Sequence, residues 1–267
     1  MIAREDSAQS AVKVFRWWWL AVISFVIGLI ALAPAALLER VVPADAPVRF
    51  VADSGTIWNG RGRISVLTDS KPLNVLVAWQ FDPSALLRLR LGFQVTADGP
   101  AIAGTSRLGL RSGSIELRDT AVTADARVLS AAHRLAAVFA PQGQLRLQQG
   151  SGESLTIGFP GHAEGFWRVD GAMGLHVEKF VLGGVVNAAV GSHEIALQGA
   201  DTTVNFSIPR SSGALKLEGV GSLTLASPRR FTFSGFATVA NDAPASLKQL
   251  GAALPDGRQR LEINTPW

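Results

Sequence analysis

Two hydrophobic patterns divide the chain. From Trp17 to Leu38 the residues WWWLAVISFVIGLIALAPAALL run without a charge. After Pro43, short apolar/polar alternations recur, separated by Gly, Asp, Ser and Pro. Val75, Val77, Trp79 and Phe81 alternate with Leu76, Ala78 and Gln80, and Leu89, Leu91, Phe93 and Val95 with Arg90, Gly92 and Gln94. Shorter runs carry Ile64/Val66, Ile115/Leu117, Leu145/Leu147, Leu155/Ile157/Phe159, Met173/Leu175/Val177, Ile195/Leu197, Val204/Phe206/Ile208, Leu215/Leu217, Leu223/Leu225, Phe231/Phe233 and Leu261/Ile263. A period of two puts the apolar side chains of each run on one face. About a dozen such strands at this spacing predict a long antiparallel meander. The fold class is mainly β, as a sandwich or as a curved, open sheet whose apolar face lines a groove.

Three stretches depart from the alternation. Asp82-Pro83-Ser84-Ala85-Leu86-Leu87 predicts one helical turn, with Asp82 as N-cap and Pro83 at the first helical position. Val128, Leu129, Ala132, Leu135, Ala136 and Phe139 form an i, i+3, i+4, i+7 stripe, which predicts an amphipathic helix over 124–139 ended before Pro141. That segment is either a seam near 124–141 between two β halves or the closure of one continuous sheet. Ala245 to Leu250 predicts a short helix with Gly251 as C-cap.

As one helix, the uncharged run is about 33 Å long, enough for a hydrocarbon core of about 30 Å. Trp17, Trp18 and Trp19 at its edge mark a headgroup boundary, where indole rings settle. Pro34 lies near the far end, where a broken turn costs least. Lys13 and Arg16 just before the span favour a cytoplasmic N-terminus. The expected organisation is a cytoplasmic tail over 1–16, a single transmembrane helix over 17–38 and a β-rich extracytoplasmic domain over 44–267. A cleaved signal peptide is the rival, but its apolar core spans about 7–15 residues. Pro34 directly after Ala31-Leu32-Ala33 also spoils the small-x-small cleavage site. The segment reads as a retained anchor.

Composition removes several function classes. The absence of cysteine excludes a disulfide framework, a thiolate metal site and a cysteine nucleophile. The net charge of +4 comes from dispersed arginines. No basic stripe with interleaved aromatics and no reader motif points to nucleic acid. Of the four histidines, His133, His162, His176 and His193, no two have metal-ligand spacing. His176 and His193 alternate with apolar residues, which predicts surface or sheet-edge positions. Nucleophile-elbow, phosphate-loop and dinucleotide motifs are absent. The sequence therefore presents no catalytic, metal-ligating or cofactor-binding residues and predicts neither an enzyme nor a small-molecule substrate.

The segment Ser54-Gly55-Thr56-Ile57-Trp58-Asn59-Gly60-Arg61-Gly62 stands apart. Gly55, Thr56, Trp58, Asn59 and Gly60 read as a hairpin with its turn at Asn59-Gly60. Trp58 is then either buried against the sheet or exposed in a recognition loop.

A leading anchor, SGTIWNGRG at 54–62 and VAWQFDPSALL at 77–87 resemble protein N of the bacterial type II (general) secretion pathway. The ending, with Leu250-Gly251 and Leu254-Pro255-Asp256-Gly257-Arg258, is also similar. The resemblance implies a non-enzymatic protein of the Gram-negative inner membrane, with its bulk in the periplasm. It would belong to, or help assemble, the machine that exports folded proteins across the outer membrane. Its partners would be inner-membrane and periplasmic subunits of that machine, and the phospholipid bilayer. AsmA-like membrane-anchored periplasmic proteins have a similar turn motif and Asp-Gly ending. They leave open a lipid-handling role for an apolar groove.

Overall fold

The computed structural model describes residues 6–41, 48–66, 73–132, 140–160, 166–183, 188–249 and 251–266, with side chains in the first segment from residue 18 onward. Helix α1 (Asp6–Ala31) opens the chain and a 3-10 helix, Ala35–Val41, follows it. Then come strands β1 (Val48–Gly55), β2 (Asn59–Val66), β3 (Leu73–Asp82), β4 (Leu91–Asp98), β5 (Ile102–Arg111) and β6 (Ser114–Asp125). Helix α2 (Val128–Ala132) precedes β7 (Pro141–Gln148), β8 (Ser154–Gly158), β9 (Arg168–Leu182), β10 (Ala188–Ala200) and β11 (Thr203–Ser212). The last strands are β12 (Leu215–Thr224), β13 (Arg230–Val239), β14 (Ala252–Ala253) and β15 (Gln259–Pro266). All fifteen join one antiparallel sheet, in the order β1 to β7, β9 to β13, β15, β14, with β8 beside β6 and β9.

The expected 22-residue span is not one helix. Pro34 has no N–H to donate and disfavours helical backbone at Ala33, so α1 stops at Ala31. The freed carbonyl of Ala33 accepts from the N–H of Ile57 at 2.9 Å, and Pro34 bridges to Thr56. Ala35 is buried where the chain turns onto the sheet. Among the described residues no helix is long and apolar enough to cross a membrane.

The strands share one apolar face because directly paired residues point the same way. A single row runs Phe81, Phe93, Leu108, Leu117, Leu155, Gly171, Gly199, Val204, Leu223, Phe231 and Thr265, each paired with the next. Only Thr265, at the end of the row, is polar. A second row, Met173, Leu197, Phe206, Gly221, Phe233 and Ile263, lies on the same face. Gly221 is needed there, because a Cβ would lie 2.3 Å from the Phe206 ring. Phe206 lies across it, stacked on Phe231 and Phe233 at 5.7 and 6.1 Å.

The sheet is curved but thin. Cα atoms of β9 and β11, and of β10 and β12, approach within 8 Å, where a flat sheet would hold them about 9.5 Å apart. A register shift between Glu194 and Ala196 supplies part of the bend, opposite Pro209, which cannot donate to the ladder. Buried clusters draw on neighbouring strands, one around Ala188, Leu215, Ala237 and Leu247, the other around Ala126, Leu145 and Val177. The surface is 17704 Å². A compact monomer of this mass exposes about 11,000 Å².

Several expectations need correcting. Ala124 and Asp125 belong to β6, where Ala124 pairs with both Ile102 and Leu145; the helix starts only at Val128, and 133–139 lies outside the described residues. Across this stretch the sheet is continuous, β6 pairing with β7. The runs at Leu215/Leu217 and Leu223/Leu225 form one strand, β12, which ends at Thr224; Gly219 and Gly221 keep its period without apolar side chains. β5 shows no apolar alternation in the sequence because Gly104 and Ser106 interrupt it. The helical turn expected after Asp82 is present, as a 3-10 helix, Pro83–Arg88, with Pro83 at its start and Asp82 accepting from the Ser84 N–H. The C-terminal turn is a 3-10 helix at Leu247–Gln249.

Candidate functional site

The Ser54–Gly62 segment meets the end of α1. β1 ends at Gly55 and β2 begins at Asn59, so the turn is Thr56-Ile57-Trp58, and Asn59-Gly60 opens β2 instead of forming the turn as expected. The local reason is the Thr56 hydroxyl. Its Oγ1 accepts from the N–H groups of Trp58 and Asn59 at 3.3 and 3.2 Å, and the Thr56 N–H donates to the Asn59 carbonyl at 2.8 Å. Gly55 takes φ +97°, where a Cβ would also strike the Asn59 carbonyl oxygen at 2.3 Å. The Asn59 side chain accepts from the Phe81 N–H at 3.1 Å and ties the turn to β3.

Trp58 is half-buried. Its indole N–H donates to the Ile30 carbonyl at 2.8 Å, and its ring packs edge-on against Phe81 at 5.1 Å. The last carbonyls of a helix lack their α-helical donors; that of Ile30 accepts from the Ala33 N–H at 3.3 Å and more closely from Trp58, which caps α1 from the sheet. Trp79 supports the turn from beneath, donating to the carbonyls of Thr56 and Ile57 at 3.2 Å each. It lies over Gly60, where a Cβ would sit 2.5 Å from the ring. Glu39 accepts from the Ala52 N–H at 2.8 Å and seals the outer edge of β1. The motif thus fastens helix to sheet. Trp18 and Trp19 are exposed on α1. Lys13, Arg16 and Trp17 fall within α1, before the described side chains.

Other polar features lie apart from this turn. A groove of about 1500 Å³ crosses β9 to β15 on the face opposite the apolar rows, with His176, Gln198, Asn205, Ser222, Ser234 and Glu262 in its wall. Glu116 is buried among arginines, accepting from Arg118 at 2.7 Å and paired with Arg90. Burial and the nearby Arg111, Arg118 and Arg88 lower the Arg90 pKa.

His193 is buried in β10 and not on the surface, because it shares the apolar face of Ile195 and Leu197 and pairs directly with Val177 and Ser211. Its Nδ1 shares a hydrogen bond with Ser211 Oγ at 2.7 Å, and that Oγ also accepts from the Leu217 N–H at 2.7 Å. Burial lowers the imidazole pKa below 6.5. His133 and His162 lie outside the described residues. Among the described residues no group of three or more His, Cys, Asp or Glu is placed to hold a metal ion.

A curved antiparallel sheet fastened at one end to an apolar helix defines the class, a β-rich domain led by a helix. The family model for type II secretion system protein N matches residues 46–262, and the chain belongs to that family. No curated protein and no solved structure gives a match.

Proposed function

We propose that the chain is a non-enzymatic inner-membrane component or assembly factor of the type II secretion system, supporting export of folded proteins across the outer membrane. Family membership supports the secretion role. The observation that carries the membrane placement is the surface of α1. Leu20, Phe25 and Ile27 are 54%, 67% and 60% exposed, around more than one side of the helix. Such a surface calls for apolar surroundings. In this reading α1 from Trp17 onward is the single anchor, and 1–16, which carries Lys13 and Arg16, is the cytoplasmic tail. Trp17 to Trp19 lie at the inner interface, and residues from 44 onward lie in the periplasm. Alkaline phosphatase fused after Val48 is then active, and a cytoplasm-only fluorescent reporter at the same point is dark. The reverse pattern overturns the placement.

Partners are reached through the anchor, the Trp58 turn and the sheet edge. β14 covers β15 only at Gln259 and Arg260, so Leu261 to Pro266 present a strand edge suited to backbone pairing. Recognition then rests on backbone and shape. In a secretion complementation assay, no single His, Asp, Glu or Ser to Ala variant with a normal protein level loses export, whereas a proline at Leu261 does. One well-folded but inactive His→Ala or Glu→Ala variant overturns the non-enzymatic reading. The apolar row across eleven strands favours a second reading, an AsmA-like lipid-handling role. Phospholipid recovered by mass spectrometry from the purified protein supports that role.

A further inference from the structure

Alternate turns of a meander lie at the same end of its sheet. The Thr56–Trp58 turn, which holds the end of α1, therefore shares its end with five other connections, of which three lie nearest to it along the sheet. These are the one between β3 and β4, the turn at Ser112-Gly113 and the connection between β8 and β9. Register confirms it: Asp82 pairs with Gly92, Arg111 with Ser114, and Gly158 with both Ser114 and Arg168.

This end carries apolar side chains that touch little of the fold. Leu87 and Leu89 are 90% and 89% exposed, and Leu86 is exposed beside them. Leu89 caps the 3-10 helix in the left-handed region, at φ 55°. That position suits glycine and is costly for leucine. The cap bonds run from Leu89 N–H to Leu86 and from Arg90 N–H to Ala85, and glycine would make them equally well. The leucine side chain thus serves nothing within the fold. Two connections along, Phe159 and Trp167 are both exposed, in an edge-on pair with ring centroids 5.6 Å apart. Exposed Arg88, Arg111 and Arg168 stand among these side chains, Arg168 near Asp201 at 3.3 Å.

We propose that this end of the sheet is a second membrane-contact surface. Leu86, Leu87 and Leu89, with Phe159 and Trp167, enter the interface of the bilayer that α1 crosses. Arg88, Arg111 and Arg168 meet anionic phospholipid headgroups. The proposal rests on α1 being the anchor. Continuity supports it, since the Trp58–Phe81–Phe93 ring contacts lead from the helix end directly to the leucine-bearing connection. Length supports it too. The uncharged part of α1, Trp17 to Ala31, is about 22 Å long against a core of about 30 Å. Such a deficit draws the flanking structure toward the bilayer.

The chain lacks cysteine, so single probes are placed without background. Full-length Leu87→Cys, Leu89→Cys and Phe159→Cys carry an environment-sensitive fluorophore in vesicles of phosphatidylethanolamine and phosphatidylglycerol. Ile27→Cys reports on α1 and Asp242→Cys on the opposite end of the sheet. Lipids spin-labelled near the headgroup should quench positions 87, 89 and 159 at least about twofold more than 242, and deep labels should quench 27. If 27 is quenched but 87 and 89 match 242, the sheet end stands clear of the bilayer and the anchor reading survives alone. If 27 is not quenched, the anchor reading falls and this proposal with it. Replacing phosphatidylglycerol by phosphatidylcholine should roughly halve quenching at 87; no change removes the role given to the arginines.

Discussion

Trp58 donates its indole N–H to the carbonyl of Ile30 at 2.8 Å, so a residue of the first hairpin caps the last turn of the helix that precedes the sheet. Trp58→Phe keeps the ring on Phe81 and removes the cap. It should cost about 0.5–1 kcal/mol, the usual net value of one hydrogen bond. Trp58→Ala also removes the ring contact and, for a half-buried tryptophan, should cost about 2 kcal/mol. Urea unfolding of the full-length protein in detergent measures both. An unchanged midpoint for Trp58→Ala would show that the turn does not hold the helix.

The leucine-bearing connection is held down by a close approach. A Cβ on Gly92 would lie 2.4 Å from the Cβ of Ala85, with its next neighbours at 3.3 Å or more. Gly92→Ala alone should destabilise by about 1–2 kcal/mol, and Ala85→Gly in the same chain should recover most of that loss. Additive effects in this double-mutant cycle would mean the strain goes elsewhere.

Glu116 is the buried counterion of Arg90. Glu116→Gln leaves that partly buried guanidinium without its charge partner and should cost about 2 kcal/mol. Arg118→Gln removes a more exposed partner and should cost less than about 1 kcal/mol. Equal costs would argue against the burial of the pair.

Stability should fall in two stages as the pH drops. Burial holds His193 below 6.5, so beneath that pH the unfolded chain binds a proton that the folded chain refuses. Stability should be level above about 6.5 and decline below it, by no more than about 1.4 kcal/mol per pH unit from this group. His193→Gln should flatten that decline. Asp82, Asp125 and Asp256 sit below 3.8, through hydrogen bonds from Ser84, from Arg127 and from Arg258 respectively. Their contribution is present above 3.8 and lost as the pH falls through the lowered values. Denaturant midpoints from pH 8 to pH 3 resolve the two stages.

Period-two patterning exposed most strands because it depends only on which residues face the core, which is local information. It failed where a strand's inward positions hold no apolar side chain. In β5 these are Gly104 and Ser106, and Ser106 instead shares a hydrogen bond with Thr120. At 124 and 125 the sequence fits a helix start or a strand end, and pairing of Ala124 with two neighbours decides for the strand.

By itself, the sequence determined the β class, the apolar leading helix, the cap at Asp82 and the family, since each is written in residues close together along the chain. Only the tertiary structure decided what the Gly55–Gly60 segment is for. Asn-Gly favours a two-residue turn locally, but the Thr56 hydroxyl and the β3 partner of Asn59 move the turn to Thr56–Trp58. The Ile30 carbonyl that Trp58 caps lies twenty-eight residues away, beyond any local pattern. The burial of His193 and the gathering of Leu87, Leu89, Phe159 and Trp167 at one end of the sheet have the same origin. Strand register fixes which distant residues meet, and register is a property of the paired sheet.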